Sequence, residues 1–502
     1  MKRVVVLFLA LLPVAASAQT GTAALVHHTV STKVGEAQRL FDEGLTLVYA
    51  FNRAEAEKRF RAAAQADPSL ALAWWGVALA AGPNLNYEMT TENWRTVGEA
   101  IPKANALAAN ASPEERRLIA AIELRYPPRA REPNGKAYRD AMAAVHRDFP
   151  DDDDVATLWV ESAMDVERWG WTVDGKPIGE TATLTKTLED VMARTPLHPG
   201  ANHYYTHLND YTSAATRAVP EADRLSSLPI EPAASHLKHM SGHIYLDVGN
   251  YTGLLRDNHI AVDDDGTYAK SIGVAPGALD YYYHNLDFYA GGALMLGDAD
   301  EAHRAAELQL QSGDYKALLV YARLKQYAEV LAAKPPAANM ADSLGAQPWH
   351  YARGIAFASQ HDVAGTEKEL AALRAGGEGD SVRTQAQILA ARIAYLRGDT
   401  ATATKELRGI LARVAPLPPE IFPAWYYPVG EWIGWMLLRS GDAPGAEAAF
   451  RADLVRTPHN ARSLFGLLEA VGAQGRTSES SVLAKEIAAN WRGPQSALEP
   501  SL

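Results

Sequence analysis

One turn recurs along this chain and limits what the chain can fold into. A helical stretch ends in Gly-Asp or Gly-Asn, and a second helix rich in small residues follows. Examples are "YLDVGNYTGLL" (245–255), "LMLGDADEAHRAA" (294–306), "AYLRGDTATATKEL" (394–407) and "LLRSGDAPGAEAAFRADL" (437–454). Self-similarity on this scale marks an array of helical hairpins, in which each unit buries its apolar side by stacking on the next. Sustained period-two runs of Val, Ile and Thr are nearly absent, so a sheet of more than two short strands is not expected. The pattern predicts hairpins near 36–66, 69–109, 112–149, 154–195, 201–228, 236–264, 277–312, 314–334, 341–375, 381–414, 422–455 and 461–491, with irregular loops at 127–136, 169–180 and 333–348. The hairpins read as one continuous superhelix in two arms, 19–334 and 335–502.

Between hairpins, segments such as "AEAEKRFRAAAQADPSLALAWWGVALA" (54–80) place Asp-Pro after one helix and small residues in the next, so that helices approach closely. This resembles the tetratricopeptide repeat (TPR). The resemblance implies an all-α, TPR-like α-solenoid, a right-handed superhelix in which the first helix of each hairpin lines the concave face.

The first 18 residues, "MKRVVVLFLALLPVAASA", have a basic start at Lys2 and Arg3, an apolar run too short to span a bilayer, and a small-x-small end. This is the pattern of a secretory signal peptide, with cleavage expected after Ala18, and it implies a periplasmic or secreted protein with no membrane insertion. The chain has no Cys, which excludes disulfides and thiolate metal sites, so a metal must be held by nitrogen and oxygen ligands. Its formal net charge of −12 argues against a nucleic-acid partner.

The histidines carry the functional signal. In "HPGANHYYTHLNDYT" (198–212), His203 and His207 stand at i and i+4 of a predicted first helix, one above the other. In "HLKHMSGHIYLDVGNY" (236–251), His239 and His243 repeat that pair, each 36 residues after its counterpart and so at the same phase of the repeat. Adjacent helix axes lie about 8–10 Å apart, close enough for inward-pointing imidazoles on neighbours to share one ion. Imidazole donors suit zinc, iron or copper. The flanking first helices add Glu161 with Asp165, and Asp280 with His284, again at i and i+4. Glu161, Asp165 and His284 are the candidate acid/base groups or further ligands. His350 and Glu431 sit on later first helices that a tightly wound superhelix would bring towards the same axis. His198 and His236 fall at helix starts, where an imidazole serves locally, and His27 and His28 lie in a frayed N-terminus.

Six stretches carry a closer resemblance: 45–86, "HPGANHYYTHLND" (198–210), 236–251, "YYYHNLDFY" (281–289), "PWHYARGIAFA" (348–358) and 425–467. Together they are similar to a family of exported bacterial TPR proteins of largely unassigned biochemistry. One departure is Arg53, where such members often carry His after Phe-Asn. Two functions follow as expectations. In the first, the groove binds a transition metal on His203, His207, His239 and His243 and acts on a small molecule, hydrolytically or oxidatively. In the second, a TPR scaffold holds a peptide or protein in the groove, and the histidines are polar lining.

Overall fold

The computed structural model describes residues 25–500 except 129, 131, 174–175, 211, 213, 338–339, 341–344, 378 and 415–427. The expected leader at 1–18 lies outside the described residues. Among those residues, 24 α-helices pack in sequence order as antiparallel pairs, and one two-residue ladder, Thr172–Val173 against Lys176–Pro177, is the sheet. Among the described residues the fold is an all-α solenoid of twelve helical hairpins, running from Gly35–Tyr49 with Arg53–Ala66 to Ala461–Ala473 with Thr477–Asn490.

The recurring turn has a physical basis. Its first residue takes a left-handed backbone that closes the preceding helix, and its second, Asn or Asp, caps the next helix by accepting the backbone N–H three residues on. Gly249–Asn250, Gly297–Asp298 and Gly441–Asp442 all do this. Phe51–Asn52 and His361–Asp362 are the same turn without glycine. At φ 58° a bulky side chain costs about 1–2 kcal/mol relative to glycine. Phe51 therefore occupies its place against a local preference, and its ring explains why.

Packing between distant hairpins curls the array back on itself. The end of the first helix, Gly35–Tyr49, meets the fifth hairpin, so that the Tyr49 carbonyl accepts from His203 Nδ1 at 2.6 Å. Asn52 Nδ2 donates to the Ala233 carbonyl at 2.9 Å, and Asn86 Nδ2 to Tyr281 Oη at 3.0 Å. The last hairpin closes similarly on the middle of the chain: Tyr251 Oη donates to the Pro458 carbonyl at 2.8 Å and Arg462 Nη1 to the Leu294 carbonyl at 2.6 Å. The centre of the N-terminal coil is where the histidine-bearing helices meet.

The N-terminal segment differs from the frayed end expected for His27 and His28. His28 is only 5% exposed. Its backbone N–H donates to Asp42 at 3.1 Å, its carbonyl accepts from Gln38 at 2.7 Å, and its ring lies among Asp154, Asp152 and Glu114 at 3.3–3.6 Å. A positive imidazole is the cation those carboxylates lack, and it ties the segment down.

Candidate metal centre

The helices Pro199–Asn209, Ser235–Asp247 and Tyr282–Leu296 carry six histidines into one buried cluster. Sequence spacing pairs His203 with His207 and His239 with His243, and the structure brings all four together. It also sorts them into two sets, each completed by a further ring. His203, His207 and His236 each offer a nitrogen within 4.8 Å of the others, and His239, His243 and His284 do the same. The sets adjoin: ring centroids are 5.4 Å apart for His236 and His239, and 6.0 Å for His207 and His243. His236 lies inside its helix rather than before it. His284 is the third residue of a helix that begins at Tyr282, so Asp280 precedes that helix and forms no i,i+4 ladder with it.

Each triad has an aromatic wall. Phe51 lies 4.5 Å from His203, 5.4 Å from His236 and 6.1 Å from His207, centroid to centroid. Phe288 lies 4.5, 4.8 and 4.9 Å from His239, His243 and His284. The left-handed backbone at Phe51 places this ring, which accounts for the missing glycine.

The outward nitrogens are anchored. His203 Nδ1 donates to the Tyr49 carbonyl, His239 Nδ1 to Asn258 Oδ1 at 2.6 Å, and His243 Nδ1 to Asp210 Oδ2 at 2.7 Å. Asn258 is oriented by its own Nδ2, which donates to the Leu254 carbonyl at 2.9 Å, so its oxygen must face His239. Gly242 permits this: a Cβ there would stand 2.5 Å from Asn258 Nδ2. The Tyr49 carbonyl and Asn258 Oδ1 cannot donate, and neither can an ionised Asp210; with that carboxylate charged, these Nδ1 atoms carry the hydrogens and the Nε2 lone pairs point inward.

The consequence is sharpest in the second triad. His239 Nε2 and His243 Nε2 face each other at 2.9 Å, and neither neutral ring has a proton left to place between them. In the first triad, His203 Nε2 and His207 Nε2 are 3.1 Å apart, and only His207 is free to supply a hydrogen. Protonation is not an easy remedy. Burial drives His203, His243 and His284 down to about 3, and burial followed by the charge of neighbouring rings holds His207, His236 and His239 well below 6.5. A metal ion with bonds of about 2.0–2.1 Å in tetrahedral geometry sets its ligand nitrogens about 3.3 Å apart, close to both separations.

The carboxylates go elsewhere. Glu161 and Asp165 lie on Asp153–Val166 beside Arg125, whose Nη2 donates to Asp165 Oδ2 at 2.6 Å. Burial pushes both carboxyls up, Glu161 well above its usual range with the Asp165 charge adding to the effect. The Tyr204 ring stacks on His203 at 5.4 Å, and its phenol is held up by burial and then by the charge of these two carboxylates. His350 is engaged with Glu369 at 2.7 Å, and Glu431 is buried between Arg323 at 2.7 Å and Asn460 at 2.9 Å, so neither joins the cluster. His198 caps the 199–209 helix through Nδ1 and reaches Asp154 Oδ1 through Nε2 at 3.1 Å.

Sequence reasoning assigned His236 a local role and gave no signal for Tyr49, Phe51, Asn258 or Asp210. For His236 a usable signal existed, because it precedes His239 by one helical turn and therefore shares its face.

No family model matches the chain, and no curated protein matches it. Solved structures with similar folds include the APC/C hetero-tetramer Cut9–Hcn1, at 11% identity over 90% of this chain and 73% of that one with a TM-score of 0.30. A human IFIT1 dimer with PPP-AAAA matches at 11% identity over 87% of this chain and 86% of that one, TM-score 0.34. The P58(IPK) TPR domain matches at 11% identity over 88% of this chain and 99% of that one, TM-score 0.22.

Proposed function

We propose that this protein holds two transition-metal ions side by side, one on His203, His207 and His236 and the other on His239, His243 and His284. The observation that carries the reading is the pair of inward Nε2 lone pairs of His239 and His243, fixed 2.9 Å apart by acceptors on their far sides. A buried polar arrangement that opposes itself unless a cation enters is built for the cation. Three neutral imidazoles per ion disfavour hard ions such as magnesium and calcium. Among divalent metals that imidazole binds, the affinity order peaks at copper. Copper also fits the charge of the site, since monovalent ions need the least compensation among six neutral ligands. Such a centre would support oxidative chemistry on a small molecule, and zinc in its place would support hydrolysis.

His284, named from sequence as an acid/base candidate, is assigned here as a ligand. Glu161 and Asp165 are left as a proton-holding pair behind Tyr204. The leader-like residues 1–18 support action outside the cytoplasm.

Titrating metal-free protein with Cu(I) tests the stoichiometry. Binding is expected to break at two equivalents, and at one equivalent in His284→Ala or in His236→Ala. A break at one equivalent in the unaltered protein would favour a single shared ion, and no binding would leave the solenoid as a scaffold for a peptide or protein.

A further inference from the structure

A second cluster, which shares no residue with the two triads, forms where the N-terminal segment meets the helices Pro113–Arg125 and Asp153–Val166. The His28 ring turns its Nδ1 towards two carboxylate oxygens, 3.3 Å from Asp154 Oδ2 and 3.6 Å from Asp152 Oδ2. Each of the three residues offers a ligand atom within 4.8 Å of the other two. A hydrogen bond from an imidazolium to a carboxylate settles at about 2.7–2.9 Å, so both separations are long for one. They suit a bound ion, because bonds of about 2.0–2.2 Å set neighbouring ligand atoms about 3–3.6 Å apart.

The far atoms of the two aspartates are already engaged. Asp154 Oδ1 accepts from Tyr49 Oη at 2.7 Å and from His198 Nε2 at 3.1 Å, the latter ring being neutral because its Nδ1 accepts the Ala201 N–H. Asp152 Oδ1 accepts the Val155 N–H at 2.7 Å as the cap of its helix. The ordinary reason for an acid at a helix start is thus met by one oxygen, and the Oδ2 of each residue is left facing His28. His28 Nε2 lies 3.6 Å from Glu114 Oε1 and, although buried, has no hydrogen-bond partner among the described residues. Nor is the charge matched. Among the described residues no lysine or arginine lies within ion-pair reach of Glu114, Asp152 or Asp154, so three carboxylates share one imidazolium. His28 and Asp154 are buried, whereas Asp152 and Glu114 keep part of their side chains in solvent, which gives an ion its way in.

We propose that His28, Asp152 and Asp154 hold a divalent cation, manganese(II) foremost, through Nδ1 and the two Oδ2 atoms, with water completing its coordination. One imidazole among carboxylate and water oxygens is a harder donor set than either triad, which moves the preference from copper towards manganese. The ion leaves the ring neutral with its hydrogen on Nε2, facing Glu114, and a carboxylate in that place orients a ligating histidine. Two positive charges then stand against the three carboxylates where the imidazolium supplied one. A proton competes for the same ring, so the ion is exchangeable and the site is read by adding manganese. The ion ties the N-terminal segment to the helix Asp153–Val166. It also steadies an anchor of the first triad, because Tyr49 binds Asp154 through its hydroxyl and His203 through its carbonyl. The proposal does not depend on the triads holding metal.

Titrating the full chain with manganese(II), with the free ion counted by electron paramagnetic resonance, tests the proposal. One equivalent is expected to bind, alike in metal-free protein and in protein preloaded with Cu(I). Asp152→Asn, which keeps a helix-capping oxygen and removes the charge, is expected to weaken manganese at least tenfold and to leave Cu(I) uptake unchanged. Glu114→Gln is expected to weaken it at least threefold. Manganese should also slow limited proteolysis of the N-terminal segment in the unaltered protein and not in Asp152→Asn. No manganese binding by the unaltered protein overturns the proposal. So does unchanged affinity in Asp152→Asn, which would mean adventitious binding to an acidic surface. If circular dichroism shows that Asp152→Asn does not fold, Glu114→Gln decides in its place, and unchanged affinity there overturns the proposal. Manganese binding without Cu(I) uptake retains this site and removes the triads, and the reverse result removes this site and retains them.

Discussion

Replacing His239 by Ala is expected to lower the thermal midpoint of the metal-loaded protein by several degrees, while the metal-free protein changes by a small fraction of that. An ion bound at a thousandfold excess over its Kd stabilises the folded state by about 4 kcal/mol, and the variant forfeits this for the triad it breaks. In the metal-free state the same change also deletes one of two opposed lone pairs. That relief offsets part of the packing lost against Phe288, which lies 4.5 Å from the His239 ring. An ordinary buried histidine would behave in the opposite way, with equal losses in both states. Differential scanning calorimetry of both forms, at matched metal concentration, distinguishes the two. Equal shifts would mean that His239 is core packing.

Acid should undo the metal-free protein steeply. For a histidine whose folded pKa lies below its unfolded value of about 6.5, the unfolded chain takes up the proton first. Its contribution to stability is therefore intact above pH 6.5 and lost as pH falls towards the folded value. His203, His243 and His284 are depressed to about 3, so each removes about 1.4 kcal/mol per pH unit through that window, and His207, His236 and His239 act in the same direction. A protein with ordinary stability of about 5–15 kcal/mol cannot sustain that slope for long, so an unfolding midpoint near pH 5 is expected. The metal-loaded protein should resist until protons compete for the ligands, and then release metal and structure together. His28 works the other way. Burial opposes its charge, but Asp154, Asp152 and Glu114 outweigh burial and hold it up to about 9. Its contribution is complete below pH 6.5 and is lost as pH rises through 9, so His28→Ala should cost stability at acid and neutral pH and little above pH 9. Circular dichroism against pH, with and without metal, reads both flanks. Acid resistance in the metal-free form down to pH 4 would contradict the burial of neutral rings.

The fold was legible because its rule is local. Each hairpin announces itself by a turn in which one residue ends a helix and the next caps another, and the twelve hairpins expected from that pattern are the ones the described residues form. The leading half of the site was legible for the same reason, since a 36-residue spacing keeps His203 and His239, and His207 and His243, in phase. The division into triads was not. His284 joins from the next repeat out of phase with the pairs, and His236 reads as a helix-start residue unless its turn-related neighbour His239 is weighed. The walls and anchors were further from reach. Tyr49 supplies its carbonyl across 154 residues, and Phe51 is placed by the closure of the first hairpin on the fifth. Such closure depends on small rotations summed over many repeats, and no single spacing encodes it. Glu161 and Asp165 show the reverse limit. Their i,i+4 geometry was read correctly as one face, but that face turns towards Arg125, and helical periodicity does not state which neighbour a face will meet.

Elemental analysis of the natively folded protein decides whether the six imidazoles hold two ions. Protein should be purified without a metal-binding tag, with no chelator present, and both protein and metal should be quantified. Two equivalents of a transition metal per chain, copper foremost, are expected, falling to one in His284→Ala. A protein that carries no stoichiometric metal, and whose thermal midpoint does not move when copper, zinc or iron is added, would contradict it.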